Sequence, residues 1–105
     1  MPMTVIVTRD VEPRYRGFLA SVMLEIAPGV YTGPDLSKGV RERIWTVLSD
    51  WHTALGQGSI VMTWQDKSKP GRQGVLTLGE PPKTIIDIEG LLLVKREIQK
   101  NLTAV

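Results

Sequence analysis

Cysteine is absent from this 105-residue chain, and histidine occurs once. No disulfide and no thiolate metal site exists, which fits a reducing cytoplasm. A lone His52 builds no metal cluster. No apolar run approaches the roughly 20 residues that a membrane helix needs, and the N-terminus lacks the basic-then-apolar order of a signal peptide. These absences lead to an expectation of a cytoplasmic protein with no membrane partner. Net charge is +2, from 13 basic and 11 acidic residues, too small by itself to name a partner.

What is present is enough for one domain with one core: 42% of residues are hydrophobic and no stretch is long and polar enough for disorder. The basic residues gather at Arg9/Arg14/Arg16, Lys38/Arg41/Arg43, Lys67/Lys69/Arg72 and Lys95/Arg96/Lys100. Any one cluster reads as a solvated face. Four in so short a chain favour a surface for a polyanion.

Met3-Thr4-Val5-Ile6-Val7-Thr8 is short and β-branched, the pattern of a buried strand. Apolar positions 15, 18, 19, 22, 23 and 26 then form a helical stripe that Pro28-Gly29 ends. Val30-Tyr31-Thr32 reads as a short extended segment. A second helix places Val40, Ile44, Val47, Leu48, Trp51 and Leu55 on one face, with Asp35 or Ser37 as N-cap and Gly56 or Gly58 as stop. Ser59 to Gln65 alternates, a polar turn over Asp66 to Gln73 follows, and Val75 to Leu78 returns, which predicts a hairpin with the basic tip Lys67, Lys69 and Arg72. Thr84 to Ile88 and Leu91 to Val94 are two further apolar runs, and Lys95 to Val105 is a mixed polar tail. The division is a domain over 1–94 and a tail over 95–105.

The order β-α-β-α-β-β-β predicts an α+β, ferredoxin-like two-layer sandwich: an antiparallel sheet with two helices on one face and an extra C-terminal strand. Tryptophan, methionine and isoleucine on the strands suggest that the second sheet face is covered by another copy of the chain, giving a homodimer. Trp45, Trp51 and Trp64 sit at stripe positions, which favours packing over base stacking.

The junction Asp10-Val11-Glu12-Pro13-Arg14-Tyr15-Arg16-Gly17 carries the most chemistry. Proline suits the first helical position. Two arginines in the first turn oppose the positive end of the helix dipole, and an external anion would offset this through the free N–H groups and the guanidiniums. Asp10 at the strand end has two open roles, a metal ligand or an N-cap or Asx turn.

The chain resembles the second core CRISPR-associated protein family, in the form found with type I-E systems. The residues that carry the resemblance are Val5-Ile6-Val7-Thr8, Pro13-Arg14-Tyr15-Arg16-Gly17, Leu24 to Gly33, Val40-Arg41-Glu42-Arg43-Ile44-Trp45, Ile60 to Trp64 and Asp87-Ile88-Glu89-Gly90-Leu91. Their order and spacing span nearly the whole chain. The resemblance implies a ferredoxin-like homodimer that bridges dimers of the CRISPR integrase and holds a duplex DNA for insertion as a new spacer. It implies phosphate contacts from Arg14 and Arg16, a basic position at or beside Lys38, and Lys83 as the second of a basic pair whose first member is here Pro82. It implies that Leu91, Leu92, Leu93 and Val94 pair strand to strand with the integrase subunit. Some relatives are metal-dependent endonucleases acting on RNA or DNA, and their magnesium-binding aspartate corresponds to Asp10, so Mg²⁺ is the one cofactor implied. The rival readings are that nuclease and a small regulatory or toxin-like binding domain.

Overall fold

The computed structural model describes residues 3–79, 84–88 and 90–95. Its first six elements are β1 (Thr4–Arg9), α1 (Pro13–Val22), β2 (Leu24–Ala27), β3 (Val30–Gly33), α2 (Lys38–Leu55) and β4 (Ser59–Gln65). They form the βαββαβ path of a ferredoxin-like sandwich. A 3-10 turn at Pro70–Arg72 leads into β5 (Gln73–Leu78), and β6 (Thr84–Ile88) and β7 (Leu91–Lys95) follow. The antiparallel sheet runs β2-β3-β1-β4-β5, while β6 and β7 pair with each other in a separate two-stranded sheet.

Strand alternation decides what each face buries. Ile6 stands opposite Tyr31 on one side and Met62 on the other, and Ile60 and Trp64 share that face. All five are buried, together with Tyr15 and Leu19 from α1 and Ile44 and Leu48 from α2. The helices therefore cover this face. Burying a side chain such as Leu19 or Leu48 contributes about 1.5–3 kcal/mol. Trp51 clasps the two helices together, edge-on to Tyr15 at 5.3 Å and to Phe18 at 5.5 Å.

Helix α2 is capped as its sequence indicates. Val40 N–H donates to Ser37 Oγ at 3.2 Å, and Gly56 takes the left-handed conformation while its N–H donates to His52 O at 2.8 Å. The buried stripe differs from the expected one. It runs through Arg41, Ile44 and Leu48, and Val40 is exposed.

Two further expectations are corrected. The first helix stops at Val22, and Leu24–Ala27 is the edge strand β2. Leu24 pairs with Thr32 and Glu25 with Tyr31, and a bulge between Glu25 and Ala27 brings Ala27 opposite Val30. The second correction concerns the open sheet face. Ile60, Met62 and Trp64, whose presence suggested a covered second face, all point to the helices. The open face carries other residues: the row Leu24, Thr32, Val5, Thr63, Val75 and the row Val30, Val7, Val61, Thr77. Leu24 is 66% exposed and Val7 43%.

Candidate nucleic-acid interface

Helix α1 begins at Pro13, as the junction motif predicts. Glu12 occupies the N-cap position without a side-chain hydrogen bond to the backbone, and Tyr15 N–H donates to Glu12 O at 3.1 Å. Side chains two apart on a helix diverge by about 200°. Arg14 leans over the Trp51 ring of α2, 5.7 Å from its centroid, and Arg16 reaches to β2. The pair straddles the helix.

The anions that offset these arginines are supplied by the chain itself. Arg14 Nε lies 3.6 Å from Glu12 Oε2, and Arg16 Nε donates to Glu25 Oε1 at 3.1 Å. Glu12 sits at the helix start, where a carboxylate complements the dipole. Both arginines remain open to solvent, Arg14 at 53% and Arg16 at 74% of the side chain. Exposed pairs of this kind are worth about 0–1 kcal/mol, so neither arginine is held tightly by its carboxylate.

Glu25 carries no site signal in the sequence, because its position falls inside the expected helix. It is a hub: Oε2 accepts from Gly29 N–H at 3.3 Å, Oε1 accepts from Arg16, and the Tyr31 hydroxyl donates to the carboxylate. Desolvation pushes its pKa up, but the Gly29 N–H, Arg16 and Tyr31 together outweigh it and hold the carboxyl below the ordinary value of 4.5. Desolvation, reinforced by the nearby Glu25 charge, raises the Tyr31 hydroxyl. The sign for Glu25 follows from a folded pKa below the unfolded one: its contribution is complete above about 4.5 and disappears as pH falls through the lowered folded value. Thermal melting between neutral pH and pH about 3 is expected to show a stability loss in the acid limb, and Glu25→Gln to flatten it. An unchanged acid limb in that variant would contradict the assignment.

Asp10 ends the β1 turn in the left-handed region, with φ of 57°. It is neither N-cap nor Asx turn, and its carboxylate has no hydrogen bond or ion pair among the described residues. Aspartate tolerates this conformation better than most residues. Gly58 fixes the loop: a Cβ there would collide with the Arg9 and Asp10 carbonyls. His52, on the last turn of α2, also reaches this corner, with Nε2 3.0 Å from Gly58 O. No group of three or more metal-ligating side chains occurs among the described residues.

Lys38 is exposed at the first turn of α2. Lys83 lies outside the described residues. Leu91 and Leu93 are exposed on β7, whereas the side chains of Leu92 and Val94 lie outside the description. The hairpin tip holds Lys67, Lys69 and Arg72 at the surface, around an Asx turn in which Ser68 N–H donates to Asp66 Oδ1 at 3.0 Å.

The fold, with its arginine-flanked first helix and appended hairpin, is joined by a comparison of sequence. Residues 3–93 match the family described as CRISPR-associated protein (Cas_Cas2CT1978). The chain belongs to this family. The match takes in β1 to β5, β6 and the first part of β7, so the CRISPR-associated assignment rests on the whole sandwich and on the appended hairpin. Within the CRISPR-associated chain, no helix among the described residues is long and apolar enough to cross a membrane.

Proposed function

We propose that this CRISPR-associated protein is a homodimeric adaptation scaffold. It holds duplex DNA by the phosphate backbone through Arg14, Arg16, Lys38 and Lys83, and it bridges integrase dimers so that geometry sets the distance between insertion sites. The observation that carries the reading is the family match over residues 3–93. Three features support it. The arginines flank α1 and keep most of their surface. Phosphate contacts of this kind fix position without reading sequence. The open sheet face exposes Leu24, Val7 and Val61, apolar surface that a second copy would cover, and the β6–β7 hairpin offers strand edges for an integrase subunit.

A second reading is a Mg²⁺-dependent endonuclease with Asp10 as ligand. Its support is a carboxylate just past a strand end that has no partner among the described residues. Magnesium keeps several waters and needs only one or two carboxylates, so two Asp10 side chains across a dimer axis suffice. Arg9 next to it opposes the reading by competing for the carboxylate.

One experiment separates the two. Purified protein, mixed with its integrase partner, is passed over a sizing column with and without duplex DNA, and incubated with RNA and DNA in Mg²⁺ or EDTA. The scaffold predicts a DNA-stabilised complex, equally formed by Asp10→Asn. Loss of assembly with retained Asp10-dependent cleavage would replace the scaffold by the nuclease.

A further inference from the structure

The stripe of α2 contains a charged residue where an apolar one is the norm. Arg41 lies three and seven residues before Ile44 and Leu48, and it is 8% exposed. A guanidinium taken from water needs compensation. Here its Cζ lies over the Trp64 ring at 4.3 Å from the centroid. Cation–π contact satisfies the face of the guanidinium and leaves the N–H fork along its edge. Arg41's side chain makes no hydrogen bond or ion pair among the described residues.

The indole is held firmly. Trp64 lies across Gly74 on β5, where any Cβ would strike the ring, and its Nε1–H donates to Asp66 Oδ2 at 3.4 Å. Beside it opens a cavity of about 370 Å³ with Arg41, Lys38 and Lys67 in its walls and Leu36 as an apolar side. Asp66 is the one carboxylate of the lining among the described residues, and it is already engaged. Its Oδ1 accepts from the Ser68 hydroxyl at 2.6 Å and from the Ser68 N–H at 3.0 Å. The Ser68 hydroxyl contributes most to holding its carboxyl below the ordinary range. Three cations against one carboxylate leave two positive charges, the complement of a phosphomonoester dianion. The volume sits in the lower part of the range of roughly 300–1,000 Å³ for small-molecule sites, room for a sugar as well as a phosphate.

We propose that this cavity binds a phosphomonoester, with Arg41 giving a two-pronged hydrogen bond to its oxygens, Lys67 and Lys38 flanking them, and Trp64 as the platform that orients Arg41. The group comes from a free nucleoside monophosphate or from the phosphorylated 5′ end of a strand. The site stands at the start of α2; it shares Lys38 with the proposed duplex track, but it rests on Arg41 and Trp64 and not on the duplex-binding reading of α1.

The test follows the three indole N–H signals of the full chain by NMR while AMP, inorganic phosphate or dimethyl phosphate is added. AMP and phosphate are expected to move the Trp64 signal saturably, and the monoanionic diester to bind at least ~10-fold more weakly. Arg41→Lys keeps the charge but loses the fork and is expected to weaken AMP by ~10-fold, and the surface change Lys67→Gln by several-fold, about 3 to 10. A trinucleotide with a 5′-phosphate binding more tightly than AMP assigns the site to strand ends, and the reverse order assigns it to free nucleotides. The proposal is overturned by no saturable movement of Trp64, by wild-type AMP affinity in Lys67→Gln, or by a glutamate-rich peptide that moves Trp64 where AMP does not.

Discussion

Replacing both Arg14 and Arg16 by Gln is expected to weaken duplex DNA binding by at least ~100-fold at physiological salt, because charge-assisted phosphate contacts contribute roughly 1.5–3 kcal/mol each. In a symmetric dimer the double change removes both arginines from each subunit. Glutamine is the informative replacement. A carboxylate at position 16 would face Glu25, 3.1 Å from the present Arg16 nitrogen, and would disturb the β2–β3 turn that Glu25 braces. The variant should keep its melting temperature within a few degrees, since exposed ion pairs are worth about 0–1 kcal/mol. The measurement is fluorescence anisotropy of a labelled duplex with parallel thermal melts. Undiminished affinity in a folded variant would remove α1 from the interface. The reciprocal change, Glu12→Gln, leaves Arg14 without its competitor and should tighten binding.

The second large effect is on stability. Gly58→Ala is expected to lose about 2–4 kcal/mol, above the typical point mutation, because two penalties coincide. Gly58 has φ of 84°, a region that L side chains rarely adopt. Its missing Cβ also leaves space for the Arg9 and Asp10 carbonyls, which are backbone and yield poorly. Relief of the clash would shift the Asp10 loop and the start of α1, so the duplex affinity of the surviving folded fraction should fall as well. Urea unfolding by circular dichroism gives the stability. A loss of less than about 1 kcal/mol would mean that the corner between β1 and β4 is looser than described.

Much of this architecture is legible in the residues, and the reasons differ by element. Hairpin β4–β5 is local: alternation of Ile60, Met62 and Trp64 marks the buried face, and the polar run from Asp66 marks the turn. Helix α2 announces its ends through Ser37 and Gly56. Strand β2 is hidden because positions 22, 23 and 26 continue the helical period of α1. Its strand character comes from pairing with β3, and Leu24 and Ile26 are exposed instead of buried. No local pattern encodes that pairing.

The interface shows the same division. The arginines and their positions on α1 are visible in the motif, but Arg16 meets Glu25 nine residues away only because β2 folds back beside the helix. Glu12, by contrast, stands two residues before Arg14, so that pair is local in the sequence. Arg41 carried a signal too: it shares the spacing of Ile44 and Leu48, so its place among the cations of the second cluster concealed a buried position. Ile60, Met62 and Trp64 read equally well as dimer contacts or as helix contacts, because alternation tells which residues share a face and not which face the helices choose.

The central claim is that this CRISPR-associated chain grips duplex DNA by its phosphates as a dimer, and the salt dependence of binding tests it most directly. If Arg14, Arg16, Lys38 and Lys83 of both subunits each neutralise one phosphate, the slope of log K against log salt approaches about −7 and is the same for unrelated duplex sequences. A slope near zero, or affinity that follows the base sequence, would contradict the account.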